Sequence, residues 1–297
     1  MELAKRLRGE IISADSMQVY QKMDIGTGKP SESDFLKIPH HLISLIPPSR
    51  NFSVFQYRSR AIRKIREVLN RGCVPLVVGG SGLYVRSLLE GLSEQPQGNL
   101  AIRLKLERKI KEKGLLVLYE RLCEIDPPTA SKIKPQDARR IIRALERIEL
   151  SAKKPSEGIH QKKSLSELGF NPVVFGIIRD RPELYRRIEA RVDQMFRRGW
   201  VAEVKEVTQG RISKTAAQAL GYREIRNALM ESEHNALAPE GLEDVKSLIK
   251  RNTRRFAKRQ ITWFKREKGI QWIFWEPHES IKQVCNKILA VSPFYAA

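Results

Sequence analysis

The chain has 297 residues, with 55 Lys and Arg against 34 Asp and Glu, for a formal charge of +21. That length supports a sizeable core in one or two domains, and the basic excess favours a polyanionic partner, nucleic acid ahead of a membrane surface. Cys73, Cys123 and Cys285 are too few and too scattered for a disulfide framework or a zinc site, and there is no long apolar run, lipidation motif or signal peptide; these features point to a reducing compartment, the cytoplasm, and to no membrane association.

Glu10–Ala14 is a short β-prone run that delivers Asp15 and Ser16 to its C-terminal end, the rim where parallel sheets hold ligands. Asp and Ser also cap turns and helices, and the local pattern leaves both roles open. Gly26, Gly28 and Lys29 in DIGTGKP lack the G-x-x-x-x-G-K-[ST] spacing of a phosphate loop, and no such loop occurs elsewhere in the sequence. His40 and His41 are adjacent, so they point in different directions, and no third ligand is evident; a structural role is expected. Arg58–Leu69 places Ile62, Ile65 and Leu69 on one helical stripe. Val74–Val78 is a second strand, running into Gly79-Gly80-Ser81-Gly82 and a helix. Glycines there permit a tight turn and close backbone approach, and the helix N-terminus favours anions or polar groups.

Arg103–Leu122 and Ala138–Leu150 are predicted helices. Arg139 and Arg143 share a face at i, i+4 spacing. Taken alone, that face reads as solvated, with pairing to Glu146. Ser151–Lys163 reads as a loop. Val173–Ile178 and Gln271–Phe274 are two further strands, and the alternation of strands with helices predicts an α/β protein with a parallel sheet flanked by helices. From Pro182 to about Lys268 almost everything has helical periodicity. Arg187, Glu189, Arg191 and Asp193 alternate as a surface laced by weak salt bridges would. In the basic segment TRRFAKRQITWFKR and the turn before it, Ile249, Phe256 and Trp263 recur every seven residues as an expected buried seam, with Arg251, Arg255 and Lys258 on a flank toward RNA.

The segment Gly9–Pro30 (GEIISADSMQVYQKMDIGTGKP) is followed in order by VVGGSGLYVRSLLEGL, RRIIRALE, RRIEARVDQMFRRGWVAEV, ALGYREI and TRRFAKRQITWFKR. This series closely resembles the tRNA dimethylallyltransferases. The resemblance implies a P-loop-NTPase-like parallel sheet with a helical insertion. The α/β core would span residues 1–96, 136–181 and 246–297, and a helical tRNA-binding elaboration would fall in 97–135, 182–245 or both. It implies transfer of a dimethylallyl group from dimethylallyl diphosphate to N6 of the adenosine 3′-adjacent to the tRNA anticodon. Asp15 would be the general base, Arg191 would hold the leaving diphosphate, and Ser81 would sit near the target nucleotide. Asp15, Ser16, Met17, Gln18, Arg103, Gln136, Arg139, Arg140, Arg143, Gly221, Tyr222 and Arg223 would grip the anticodon stem-loop, the protein acting as a monomer.

Mg2+ is expected for the family. The family, however, opens with a strand and a P-loop, whereas this sequence begins at what looks like the end of the following helix. The opening strand and the Ser/Thr magnesium ligand are then missing, and no metal ligand is assignable. The expectation is a start site placed too far downstream, with true truncation as the alternative, and severely impaired turnover for a protein beginning at Met1. A tRNA-binding remnant without catalysis and a P-loop nucleotide kinase relative are the competing readings. Gln136 stands where the family usually has Asn, Ser44 where it has Asp, and Pro47-Pro48 where it has Asp-Pro.

Overall fold

The strand pairings in the computed structural model, which describes residues 1–92, 98–151, 154–157, 163–232 and 238–292, are all parallel. The chain divides into two units, Met1–Leu89 with Gly169 onward, and Glu90–Leu168.

In the first unit, α1 (Glu2–Arg6) leads into β1 (Gly9–Ser13), and α2 (Glu32–Lys37) into the two-residue β2 (His40–His41). Then follow α3 (Val54–Asn70), β3 (Val74–Val78) and α4 (Gly82–Leu89). Ser31 and Ser53 start α2 and α3 with reciprocal capping boxes to Asp34 and Gln56, which satisfy otherwise orphaned N–H groups. The sheet order is β2-β1-β3, and Ile12, fully buried, stands opposite His41 on one side and Val77 on the other. β1 is therefore the central strand, and every residue in it is buried. His41 is structural: its Nε2 lies 2.5 Å from Glu10 Oε2, and the Arg71 guanidinium holds the same carboxylate from the other side at 2.7 Å. His40 Nδ1 meets the Ile38 carbonyl at 2.7 Å.

The second unit holds α5 (Leu100–Lys113), α6 (Leu115–Ile125), the short α7 (Pro127–Ala130) and α8 (Ala138–Ser151) around Leu106, Leu118, Leu122, Ile141 and Leu145. The single helix expected over Arg103–Leu122 is two helices. Gly114 breaks it in a left-handed conformation (φ +84) that an L side chain rarely adopts. The expected boundaries shift as well. Residues 136–168, assigned by sequence to the core, belong with this helical unit because α8 packs on α5 and α6. Most of the loop expected at Ser151–Lys163 lies outside the described residues.

The chain returns to the first unit with β4 (Val174–Ile178), α9 (Arg181–Arg197), α10 (Trp200–Gln209), α11 (Tyr222–Glu231), α12 (Pro239–Phe264), β5 (Ile270–Phe274) and α13 (Ile281–Ala290). Of the two stretches offered for a helical elaboration, 97–135 lies in the second unit and 182–245 in the first. β4 and β5 pair in parallel as a second sheet of two strands, separate from the first among the described residues, and helices flank both, as the α/β reading expects. Val77 and Val78 of β3, Ile177 of β4 and Trp272 and Phe274 of β5 are exposed. The heptad seam expected on α12 is buried only at Ile249; Phe256 is exposed. Two acids of α9 turn to α12, Glu189 to Arg254 and Asp193 to Lys250 at 2.7 Å, while Glu183 pairs along its own helix with Arg186 and Arg187 at 2.5 and 2.6 Å.

Tyr57 on α3 and Tyr84 on α4 stack at 3.9 Å and 12°. The Tyr57 hydroxyl is buried without a hydrogen-bond partner among the described residues. A buried unpaired hydroxyl costs about 1–3 kcal/mol. Tyr57→Phe is accordingly expected to leave the midpoint of urea unfolding unchanged or raise it; a clear loss would mean that the hydroxyl has a partner.

Candidate active site at the ends of β1 and β3

The chain leaves β1 at Ser13 and β3 at Val78, and the two exits are bonded together. Ala14 N–H donates to the Val78 carbonyl (2.7 Å) and Ser81 N–H to the Ala14 carbonyl (3.2 Å). A Cβ on Gly79 would lie 2.4 Å from the Ala14 carbonyl, so only glycine lets the two backbones approach this closely. α12 closes the other side of the turn. Gln260 Nε2 donates to the Gly80 carbonyl (2.9 Å), and the Trp263 indole occupies the space a side chain on Gly82 would need. Arg86 lies over the Trp263 ring at 4.5 Å and pairs with Glu267.

Asp15 sits at the centre of this rim. Its Oδ1 accepts the Met17 N–H at 2.8 Å. Burial pushes its carboxyl upward from the ordinary aspartate range, outweighing the lowering influence of the Met17 and Gln18 N–H groups and the Arg191 charge. A carboxylate raised in this way holds a proton more tightly, which suits a general base. Burial also raises the Tyr84 hydroxyl, with smaller contributions from Tyr20 and Asp15, so Tyr84 belongs to the same neighbourhood. Ser81 Oγ accepts the Ser16 N–H at 2.9 Å and donates to Ser16 Oγ at 3.1 Å. Its hydroxyl therefore fixes the turn that carries Asp15.

Gln18 is engaged at both ends of its amide. Oε1 accepts from Ser13 Oγ at 2.9 Å, and Nε2 points at the Thr27 and Gly28 carbonyls at 3.4 and 3.3 Å. Arg191 on α9 is exposed, and its Nη2 lies 1.9 Å from the position a Cβ on Gly28 would take. Asp15, Ser16, Met17, Gln18, Ser81 and Arg191 thus come together in the first unit.

Gly221 and Tyr222, expected to grip RNA, are interior. Tyr222 is 1% exposed, with its hydroxyl donating to Glu203. Gly221 has φ +88, and a Cβ there would meet the Trp200 ring at 2.1 Å. Arg223 is more open and pairs with Glu224 at 2.9 Å. In the helical unit Arg103 and Arg143 converge on Glu146, which is fully buried, at 2.7 and 2.6 Å, and the Asn99 N–H donates to the same carboxylate at 2.7 Å. Arg143 thus makes the pairing to Glu146 that its helix spacing offers. Gln136, Arg139 and Arg140 are exposed, Arg140 lying 3.4 Å from Asp137.

Burial alone would raise Glu146. The hydrogen bonds from Arg103, Arg143 and Asn99 overcome that and hold its carboxyl low. A depressed carboxyl stabilises the fold above its ordinary value of 4.5 and loses that contribution as pH falls through the folded value. Glu146→Ala is expected to cost about 2–3 kcal/mol, below the figure for a fully buried pair because both arginines reach solvent. Chemical denaturation at pH 7 measures the loss, and the deficit should shrink in acid.

Sequence reasoning did not single out Glu203, Gln260 or Tyr84. The glycines of DIGTGKP and GGSG were their only signal, since each glycine marks a place where something approaches closely.

Residues 18–267 match the IPP transferase family. The chain is 42% identical over 291 residues to a tRNA dimethylallyltransferase of Pelotomaculum thermopropionicum, covering 96% of this chain and 89% of that protein. The chain belongs to the IPP transferase family. It is 43% identical over 298 residues to a tRNA dimethylallyltransferase of Carboxydothermus hydrogenoformans, covering 97% and 91% of the two chains. Its fold is similar to that of a tRNA isopentenylpyrophosphate transferase from Bacillus halodurans, with a TM-score of 0.67 at 36% identity over 97% of this chain and 90% of that one. It is also similar to a eukaryotic dimethylallyltransferase acting on tRNA, with a TM-score of 0.77 at 26% identity over 98% and 76% of the respective chains.

Magnesium does not fit the donor set on its own. The rim offers it one carboxylate, Asp15, already engaged with a backbone N–H, and no group of three or more His, Cys, Asp or Glu suited to a metal occurs among the described residues. No described helix is long and apolar enough to cross a membrane.

Proposed function

We propose that this chain transfers the dimethylallyl group of dimethylallyl diphosphate to N6 of the adenosine 3′-adjacent to a tRNA anticodon, acting as a monomer in the cytoplasm. The observation that carries the proposal is Asp15: a carboxyl held at the C-terminal end of the central strand, with its proton affinity raised by burial and with the Arg191 charge close enough to act on it.

The adenine amine is a weak nucleophile because its lone pair is delocalised into the ring. Asp15 accepts a hydrogen bond from N6 and takes its proton as the N6–C1 bond forms. The C1–O bond breaks, and its electron pair leaves with diphosphate. Arg191 offers a planar fork of donors to the departing oxygens. The base must leave its stack to reach Asp15, at a cost of a few kcal/mol that is smallest in a loop. Ser81 and Ser16 hold the turn under Asp15, and Gln18 braces it against the Gly28 loop. A magnesium ion would be held largely by the diphosphate.

Arg139, Arg140 and Gln136 on the helical unit and the basic flank of α12, with Arg251, Arg255 and Lys258, meet tRNA phosphates. The formal charge of +21 supports that role. Incubation of the chain with an anticodon stem-loop and radiolabelled dimethylallyl diphosphate, or with labelled ATP, tests the reading. Label from the prenyl donor should appear on adenosine N6, with RNA binding that weakens steeply as salt rises. Transfer from ATP alone would assign a kinase, and salt-sensitive RNA binding with no transfer a binding protein.

A further inference from the structure

The loop Asp24–Lys29 carries no reacting group, yet the rest of the first unit holds it from several sides. Glu203 on α10 accepts the backbone N–H groups of Asp24 (2.8 Å), Ile25 (2.7 Å) and Gly26 (3.0 Å) in succession. The Tyr222 hydroxyl of α11 donates to the same carboxylate. Consecutive N–H groups turned to one point form an anion nest; here an anion from the chain itself fills it. The Trp200 indole lies against Gly26, leaving 2.0 Å where a Cβ would start. Lys29, with its side chain 4% exposed, donates to the Asp24 carboxylate (2.6 Å), the Ser44 hydroxyl (2.8 Å) and the Tyr20 carbonyl.

What this bracing presents is the bare face of Gly28. Its φ is +61, and Arg191 Nη2 occupies the space of the absent side chain. The neighbouring acids of α9 are not competing for Arg191, since Glu189 pairs with Arg254 and Asp193 with Lys250.

We infer that Glu203 is a positioning residue for Arg191: by locking residues 24–26 it fixes Gly28 as the shelf on which the guanidinium is aimed toward Asp15. This rests on the reading of Arg191 as the group that receives the leaving diphosphate.

Glu203→Gln tests it, because the amide keeps the shape but loses the charge and turns a donor toward donors. Misplacing the guanidinium is expected to lower kcat about 10- to 100-fold, with the KM for the RNA stem-loop unchanged. In an Arg191→Ala background the same change should have no further effect, and rates that multiply would overturn the inference. Gly28→Ala removes the shelf from the loop side and should lower kcat similarly; parent-level kcat in that variant also overturns it.

Hydrogen exchange supplies a readout independent of turnover. In Glu203→Gln the amides of Asp24, Ile25 and Gly26 should exchange about tenfold faster, with β1 unaffected. Unchanged exchange at those amides overturns the clamp. If the parent chain transfers no prenyl group while exchange accelerates as expected, the clamp stands and the assigned reaction falls. An active parent whose double variant is slower than Arg191→Ala alone sinks the positioning role by itself.

Discussion

Asp15→Asn is expected to lower prenyl transfer by roughly 10²- to 10⁴-fold, the range associated with removing a positioned general base, while leaving the fold as stable or more so. The two effects share one cause. Burial at the end of β1 raises the Asp15 carboxyl above its ordinary value of 3.8. A group whose folded value is raised binds more protons in the native state than in the unfolded one, so its contribution is fully present below 3.8 and is lost as pH climbs through the folded value. At neutral pH the charged carboxylate is therefore a burden on stability. An amide keeps the shape and can still accept the Met17 N–H without that burden. Thermal melts at successive pH values should show the parent losing ground to Asp15→Asn as pH rises, and the parent's kcat should rise over the same interval as the base is freed. A parent and variant that melt in parallel at every pH would sink the account of the carboxylate, and a variant with parental turnover would sink its role.

Arg191→Ala should be nearly as damaging, with kcat down about 10²- to 10³-fold, the loss seen when one pre-aligned donor to a developing negative charge is removed. The guanidinium is exposed on α9 and rests against Gly28. Its loss should leave stability almost untouched, since it is not spent on the α9–α12 ion pairs. Lys at this position restores charge without the flat two-pronged geometry and should recover only part of the rate. Full recovery by Lys would show that charge alone is needed, and single-turnover rates with saturating donor measure the difference.

The strands were legible because each is a short apolar run bounded by turn residues, and their observed limits fall within a residue of the expected ones. β2 escaped because a two-residue strand has no periodicity to read; His41 is in the sheet only because β1 lies beside it. Gly114 was legible in principle, as a lone glycine between two amphipathic stretches, but periodicity ran through it. The unit boundary at residue 168 was not legible. α8 has the same amphipathic pattern as the helices of the other unit, and only its packing on Leu106, Leu118 and Leu122 assigns it.

For the site, Asp15 is where a strand end predicts an acid could serve, and its role, like those of Ser81 and Arg191, came through resemblance. The supporting residues were invisible for a physical reason. Glu203 meets Asp24 across 179 positions of chain and Gln260 meets Gly80 across 180, and nothing local to either partner announces the other. Tyr222, named through the resemblance, is buried, and nothing beside it in the sequence announces that.

Lys29 offers a practical handle on all this. Its amine sits among the Tyr20 carbonyl, Asp24 and Ser44, almost sealed from water, and burial lowers its proton affinity. Brief treatment with an acylating reagent should tag the solvated lysines and spare this one, so the mass of the peptide containing it would report, at a single atom, whether the glycine loop is closed.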